Sequence, residues 1–192
     1  MNKVCAVTGH RPNRFQFKYN ENDFLCKKIK EAIFDQFRRM YDEQGVRHIF
    51  VGGALGVDMW AGEIALQLKE TPGYDELQLH IALPFEGHNA KWSMRYRERL
   101  AFLIRHSAEC VTVCSMSSRE SYLARNRYMV DNADFLLAVY DDERNLPSGT
   151  MHTVNYARKK NLPIVLIHPD TAQISRMPIA ESSSKVQIRA WS

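Results

Sequence analysis

The chain has 192 residues, of which 45% are hydrophobic and 25% are charged. This composition excludes the disordered, collagen-like and coiled-coil classes, and the length suits one large domain that can bury a core without disulfides or metals. The net charge of +4 is not concentrated in a long Lys/Arg run that could follow a nucleic-acid backbone, so charge alone favours no class of partner.

Apolar runs and helical periodicity alternate along the chain. Strands are predicted, in chain order, at residues 4–7, 48–51, 77–83, 111–113, 134–140 and 164–167. Helices are predicted between them at about residues 21–41, 57–68, 91–106, 120–132 and 148–160. This alternation predicts parallel βαβ units with right-handed crossovers. The expected fold is therefore a three-layer, Rossmann-like, doubly wound α/β fold, with a mostly parallel sheet of about six strands and helices on both faces.

The regular pattern ends near residue 170. We expect a single domain over residues 1–170 and a Ser-rich tail or partner-binding extension over residues 171–192. The first residues show no apolar segment of signal-peptide length, and no stretch approaches the run of about 18 apolar residues that crosses a bilayer. The expected location is the cytoplasm, with no membrane partner.

The four cysteines are Cys5, Cys26, Cys110 and Cys114, and their spacing does not indicate a disulfide framework. A strand-like segment separates Cys110 from Cys114, and no paired Cys/His motif completes a zinc site. We therefore expect neither disulfides nor metal ligands.

The carboxyl ends of all strands in an open parallel sheet meet at one edge, where ligands bind in a crevice. One loop at this edge contains Gly52, Gly53 and Gly56 directly before a helix. Glycines let the backbone approach an anion closely, and the helix amides and dipole attract negative charge. A phosphate is therefore the expected ligand. The loop matches neither Gly-x-Gly-x-x-Gly nor the P-loop pattern, and a strand-to-helix turn without a ligand is the alternative.

A second candidate phosphate site lies at the start of the last predicted helix, at Ser148, Gly149 and Thr150. Small residues leave room for a phosphate there and both hydroxyls can donate to it, although Ser148 or Thr150 could serve only as an N-cap. Asp58 lies near the first turn of its helix. Its carboxylate could accept hydrogen bonds from ribose hydroxyls, or it could simply be stabilised there by the helix dipole.

Further candidates lie in the loops of the same edge. Arg11 could bind an oxyanion bidentately or be an exposed loop residue, whereas Arg125 and Arg127 are interpreted as surface helix residues. Histidine is the side chain best suited to proton transfer near neutral pH. The histidines at this edge are His10, His88 and His152, and the loop carboxylates are Glu86, Asp141, Asp142 and Glu143.

The strings at residues 7–12, 52–58 and 148–150 occur in an order and spacing that resemble the YpsA-like branch of the SLOG superfamily. Residues 83–85 and 122–134 extend the resemblance, which covers roughly residues 3–168. The superfamily has a Rossmann-like fold and includes cytokinin-activating phosphoribohydrolases, the DNA-uptake protein DprA and sensor domains for ligands such as ADP-ribose. The resemblance implies that a nucleotide-type ligand is bound, with Gly149 and Thr150 at its phosphate. The residues expected to line it are Gly9, His10, Arg11, Gly52, Gly53, Gly56, Asp58, Pro84 and Ser148.

The hydrolase branch carries a glutamate pair after Gly-Gly-x-Gly-Thr, and one carboxylate helps to cleave the N-glycosidic bond. Here Met151, His152 and Thr153 follow Thr150. Whether the protein is an enzyme is therefore left open, because none of these side chains replaces an ionised acid. Glu86 and His152 are the catalytic candidates if it is an N-glycosyl hydrolase.

The leading hypothesis is a sensing or regulatory module that binds a nucleotide-derived ligand such as ADP-ribose, NAD or a nucleoside phosphate, with no other cofactor. One alternative is an N-glycosidase or phosphoribohydrolase acting on a nucleotide. The second alternative is DprA-like binding of single-stranded nucleic acid, with bases stacked on Trp92, Tyr96 or Tyr122. Apolar helix faces could pack within the domain or across a homo-oligomer.

Overall fold

The computed structural model describes residues 2–141 and 148–177. The strands in these ranges are β1 (Lys3–Gly9), β2 (Val46–Val51), β3 (Gln78–Leu83), β4 (Glu109–Thr112), β5 (Phe135–Val139), β6 (Ile164–Ile167) and β7 (Ile174–Met177). The helices are α1 (Phe24–Gln44), α2 (Val57–Lys69), α3 (Met94–His106), α4 (Arg119–Asp131) and α5 (Gly149–Lys159), with a short 3-10 helix at Pro12–Arg14. No helix within the described ranges is long and apolar enough to span a membrane.

The strands form one sheet in the order β4-β3-β2-β1-β5-β6-β7. Neighbours from β4 to β6 are parallel, and β7 pairs antiparallel with β6. The predicted doubly wound, mostly parallel α/β fold is therefore confirmed, but the sheet has seven strands rather than six. The prediction missed β7 because its Ile-Ser-Arg-Met sequence is short and mostly exposed, so it carries little apolar periodicity. It lies in the segment that we expected to be a tail, and residues 178–192 of that segment are outside the described residues.

Successive residues of each strand face opposite sides of the sheet, which separates the core into two layers. Ile49 and Val51 pack with Trp60 of α2 and Phe37 of α1 on one side. Phe50 faces the other side, where the apolar residues of α4 and α5 complete a second cluster. Helices cover both faces, as the near-continuous apolar runs of the strands predict.

The helix boundaries differ slightly from their predicted positions because capping residues decide them. α1 begins at Phe24, since the side chain of Asp23 accepts a hydrogen bond from the Leu25 amide at 2.8 Å. Its end is fixed by Gly45, whose φ of 73° lies in the left-handed region that favours glycine.

The order of the strands creates a switch point between β1 and β5. The chain proceeds from β1 to β2 on one side of the sheet and from β5 to β6 on the other. The loops that follow β1 and β5 therefore diverge at the carboxyl edge, and ligands of open α/β sheets bind in the crevice between such loops.

Candidate functional site

A cleft of about 310 Å³ opens at this switch point. The loop after β1, the buried face of α4 and the first turn of α5 form its walls. Its lining residues include Thr8, Gly9, His10, Arg11, Asn13, Arg14, Asp58, Tyr122, Arg125, Asn126, Ser148, Gly149, Thr150 and Thr153. The structure thus brings seven predicted site residues together, namely Gly9, His10, Arg11, Asp58, Ser148, Gly149 and Thr150.

Arg125 is the cationic side chain at the base of the cleft, and it is only 5% exposed. One terminal nitrogen donates to the carbonyl of Gly52 and lies 3.4 Å from a carboxylate oxygen of Asp58. The Nε atom is buried without a hydrogen-bond partner among the residues that the structure describes. A buried donor in this state is costly.

The interpretation of Arg125 as a surface residue is wrong, whereas Arg127 is exposed as predicted. Ser121, Arg125 and Met129 recur every four residues and form the inward face of α4. The sequence did contain a signal, because Arg125 lies four residues before the apolar Met129 and therefore on the same face of the helix. It was missed because an arginine between polar neighbours is usually at the surface.

Asp58 holds Arg125 in place. Its carboxylate also accepts a hydrogen bond from the Ala54 amide at 3.3 Å, and the residue is 6% exposed. Burial raises the pKa of the Asp58 carboxyl, and the charge of Arg125 opposes this effect. Burial likewise lowers the pKa of the Arg125 guanidinium, and the charge of Asp58 opposes this lowering. The pair is therefore a buried ion pair in which each charge depends on the other.

At the start of α2, where the glycines predicted a phosphate, a carbonyl of the protein occupies the first helix amide. The carbonyl of His10 accepts from the Val57 amide at 3.5 Å. Gly56 has φ 90°, and a Cβ atom on it would lie 2.7 Å from that carbonyl. Gly52, Gly53, Gly56 and Pro84 do not belong to the lining of the cleft. Their positions fit the alternative that we left open, a glycine turn that serves close packing.

The start of α5 opens into the cleft. Ser148 is the N-cap, and its hydroxyl accepts a hydrogen bond from the Met151 amide at 3.0 Å. The amides of Gly149 and Thr150 belong to the first turn, which has no preceding helical carbonyl to accept them. The helix dipole adds positive potential at the same point. Capping and an open anion-receptive turn therefore coexist here.

Arg11 and Arg14 add positive charge at the mouth of the cleft. Both are exposed, and the Arg11 guanidinium lies over the ring of Tyr122, 5.4 Å from its centre. Arg14 and the amide side chains of Asn13 and Asn126 were not among the predicted site residues. Nothing in their local sequence distinguishes them from ordinary polar residues of a loop or helix.

The two catalytic candidates lie away from the cleft lining. Glu86 is exposed on the loop after β3, and His152 is exposed in a separate groove between α4 and α5. His88 is half-buried, with Nε2 3.2 Å from the Gly53 carbonyl, and burial lowers its pKa. Asp142 and Glu143 lie outside the described residues. No group of three or more His, Cys, Asp or Glu side chains in the described ranges could hold a metal ion.

Comparisons with known proteins agree with this architecture. The sequence profile of a family described as the YspA SLOG family matches residues 5–172. UPF0398 proteins of Bacillus cereus (strain B4264) and Bacillus thuringiensis (strain Al Hakam) are each 30% identical to the chain over 161 residues, which cover 82% of this chain and 84% of the relative.

Two solved structures of DNA processing protein A (DprA) are similar in fold. The Helicobacter pylori protein, described for its single-stranded DNA binding mode, aligns with a TM-score of 0.56 and 20% identity, covering 85% of this chain and 65% of that one. The Streptococcus pneumoniae protein aligns with a TM-score of 0.54 and 15% identity, covering 86% of this chain and 50% of that one.

Proposed function

Because the chain belongs to the YspA SLOG family, we propose that it binds a phosphorylated, nucleotide-derived ligand in the switch-point cleft. The ligand class comprises nucleoside phosphates, ADP-ribose and NAD. The protein acts as a sensing or regulatory module of the cytoplasm. The expected position of the phosphate is between Arg125 and the first turn of α5.

The nearly buried arginine in the cleft lining, Arg125, is the observation that carries this proposal. Gly52 and Asp58 both contact one terminal nitrogen of the guanidinium, which holds the group in position. Charge-assisted hydrogen bonds from arginine to phosphate are among the stronger hydrogen bonds in proteins. A phosphate in the cleft would therefore form a strong interaction with the Arg125 guanidinium.

The first turn of α5 supports the same position. The amides of Gly149 and Thr150 and the hydroxyl of Ser148 border the cleft that contains Arg125. Helix N-termini bind phosphates because their amides lack partners and their dipole attracts negative charge. Two independent sources of positive potential thus border one cavity.

The test is isothermal titration of the protein with AMP, ADP-ribose and NAD. We expect at least one to bind the wild type, and we expect Arg125→Lys to weaken that binding by about tenfold or more, since lysine keeps the charge but loses Nε and the planar fork. The matched control is Arg127→Lys, two residues further along α4 and exposed, which should bind like the wild type.

Circular dichroism of both variants would establish that they are folded. The proposal fails if the wild type binds none of the three compounds, or if folded Arg125→Lys binds them as tightly as the wild type does.

Hydrolysis of an N-glycosidic bond has less support. Glu86 and His152 lie outside the cleft lining, and the buried carboxylate of Asp58 is paired with Arg125. Chromatography of AMP and NAD after incubation with the protein should therefore show no released base. Release of base that stops in a Glu86→Gln variant would reverse this assignment.

Binding of single-stranded nucleic acid is the second candidate, because the partly exposed Tyr122 lines the cleft with the Arg11 guanidinium 5.4 Å from the centre of its ring. The buried Phe85 ring packs 5.5 Å from the Tyr122 ring, and the partly exposed Trp92 ring lies 5.4 Å from that of His88. Aromatic side chains beside cations are typical platforms for stacked bases. The salt dependence of binding distinguishes this candidate from a small ligand.

A further inference from the structure

Two histidines contact each other on the α4 side of the sheet. His48 of β2 and His80 of β3 are both partly buried, and the His80 side chain is 18% exposed. The ring centres are 5.0 Å apart, and Nδ1 of His48 lies 3.0 Å from Nε2 of His80. This distance is that of a hydrogen bond between the two imidazoles, in which one nitrogen donates and the other accepts.

This hydrogen bond limits the number of protons that the pair can carry. A neutral imidazole has one N–H donor and one acceptor nitrogen, whereas a protonated imidazole has two donors and no acceptor. The contact can therefore persist when both rings are neutral or when one ring is protonated. When both are protonated, two N–H groups face each other across 3.0 Å and the rings must separate.

The strands beside the pair offer it one carboxylate among the residues that the structure describes. An oxygen of Glu109 of β4 lies 3.4 Å from Nδ1 of His80. On the other side, β1 presents the apolar Val4, which is paired in register with His48. Glu109 can offset one positive charge on the pair but not two. Burial lowers the pKa of His48, and the charge of His80 lowers it further.

The pair also reaches α4 through Phe50. The centre of the Phe50 ring is 6.0 Å from that of His80 and 5.8 Å from that of Tyr128 of α4. A phenol is uncharged in the pH range in which histidines titrate. Asp131, on the same turn of α4, is bound to Lys160 of α5 at 2.7 Å. Movement of the His80 ring would therefore disturb the packing under α4 without gaining a compensating charge there.

We propose that His48 and His80 form an acid-sensitive lock between β2, β3 and α4. The lock is closed while the pair carries at most one proton, and it opens when both rings are protonated. Opening separates the rings and loosens the packing of Phe50 against Tyr128. The lock does not depend on the ligand of the cleft.

The lock has a defined pH dependence. In the unfolded chain both histidines are protonated below a pH of about 6.5. The folded chain resists the second proton, so below this pH the unfolded chain binds more protons than the folded chain does. The free energy of unfolding must then fall as the pH is lowered.

The experiment follows the imidazole NMR signals of the wild type between pH 7.5 and pH 5 and measures urea unfolding over the same range. The pair should titrate in two steps separated by more than about one pH unit, as strongly coupled groups do. His48→Gln is the informative variant, because an amide has both a donor and an acceptor and can face His80 in either protonation state. From pH 7.5 to pH 5 the unfolding equilibrium constant of the wild type should rise about tenfold more than that of His48→Gln.

His80→Gln should reduce the acid dependence in the same way. The matched control is His152→Gln, an exposed residue of α5, which should keep the acid dependence of the wild type. Titration of both rings in one step would show that the lock does not exist, and this result needs no variant. Wild-type acid dependence in folded His48→Gln and His80→Gln would overturn the proposal as well.

Discussion

Gly52 and Arg125 depend on each other because they compete for the same volume. A Cβ atom on Gly52 would overlap the guanidinium of Arg125, which donates to the Gly52 carbonyl. The φ angle of Gly52 lies outside the left-handed region, so its backbone is open to any residue. Glycine is therefore required here by the close approach of the arginine and not by backbone conformation.

We expect Gly52→Ala to displace Arg125, because the added methyl group takes the place of the guanidinium. Ligand binding should be lost, and the free energy of unfolding should fall by about 1–3 kcal/mol, as is usual for an overpacked site. Titration with the bound nucleotide measures the first effect and urea denaturation measures the second.

Gly73→Ala is the matched control. Gly73 has φ 90° and no atom within 4 Å of the added methyl group, so this variant strains the backbone without touching the cleft. It should lose stability and keep its affinity for the nucleotide. Normal binding by Gly52→Ala would contradict the role that we assign to the Gly52 contact.

At the residue scale, the sequence identified those cleft residues that belong to a recognisable loop motif. Ser148, Gly149 and Thr150 are small polar residues before a helix, and their location was predictable. The function of Gly52 was predicted as a phosphate turn, but its role depends on Arg125, which lies 73 positions further along the chain. Local sequence patterns do not reveal such a long-range pair.

Several elements are tied together by a cluster of ion pairs beside the cleft loop. Arg99 of α3 binds Glu21, in the loop before α1, at 2.6 Å and Glu63 of α2 at 2.7 Å. Lys30 of α1 also binds Glu21, at 2.6 Å. Burial alone would raise the pKa of the Glu21 carboxyl, but hydrogen bonds from Arg99 and Lys30 outweigh burial and lower the pKa to about 2.

The low pKa of Glu21 predicts that the free energy of unfolding falls as the pH is lowered. A carboxyl whose pKa is lower in the folded state contributes stability above its unfolded pKa of about 4.5, and that contribution is lost as the pH falls towards 2. Its upper value is about 3 kcal/mol. Urea denaturation between pH 7 and pH 3 should show that Glu21→Gln removes part of the acid dependence seen in the wild type.

Glu43→Gln is the control for this measurement. Glu43 forms an exposed ion pair with Arg39 four residues earlier in α1, with side chains 45% and 56% exposed for Arg39 and Glu43. Exposed pairs of this kind contribute little. An equal change in acid dependence for Glu21→Gln and Glu43→Gln would show that the partly buried cluster contributes no more to the acid dependence than an exposed pair does.

At the element scale, periodicity predicted the six parallel strands and five helices because most of them place apolar residues in the core. β4 and β7 each have three exposed residues of four, but β7 lacks a β-branched run such as Val-Thr-Val at residues 111–113. The position of β7 depends on its pairing with β6. A short strand of this kind is specified by its neighbour and by the turn in which His168 donates to the Gln173 carbonyl at 2.8 Å.

At the scale of the whole molecule, the order of the strands decides where the cleft lies. The sequence predicted the edge of the sheet, because parallel strands share a carboxyl edge. It could not predict which of several loops would meet. β5 was found to pair with β1, and this pairing brings the loop after β1 beside α5, residues separated by more than 130 positions.

The distribution of charge over the molecule yields a last prediction, which separates a small ligand from a nucleic acid strand. Each phosphate of a bound single strand releases counterions, so log K falls with log salt by about 0.7 per phosphate contacted. A nucleotide held by one phosphate group in the cleft should therefore show a slope of about 0.7 or less. A strand that follows the cations from the cleft to α3 would contact several phosphates and show a slope of about 3 or more.

Titrations of AMP and of a fluorescent oligothymidylate across about 50 to 200 mM salt measure both slopes. We expect nucleotide binding to change little with salt. Oligothymidylate binding should be weak at the higher salt, because the net charge of +4 is modest and several arginines are paired with acidic side chains away from the cleft. Tight oligothymidylate binding with a steep slope, unaffected by Arg125→Lys, would assign the protein to nucleic-acid binding on a surface other than the cleft.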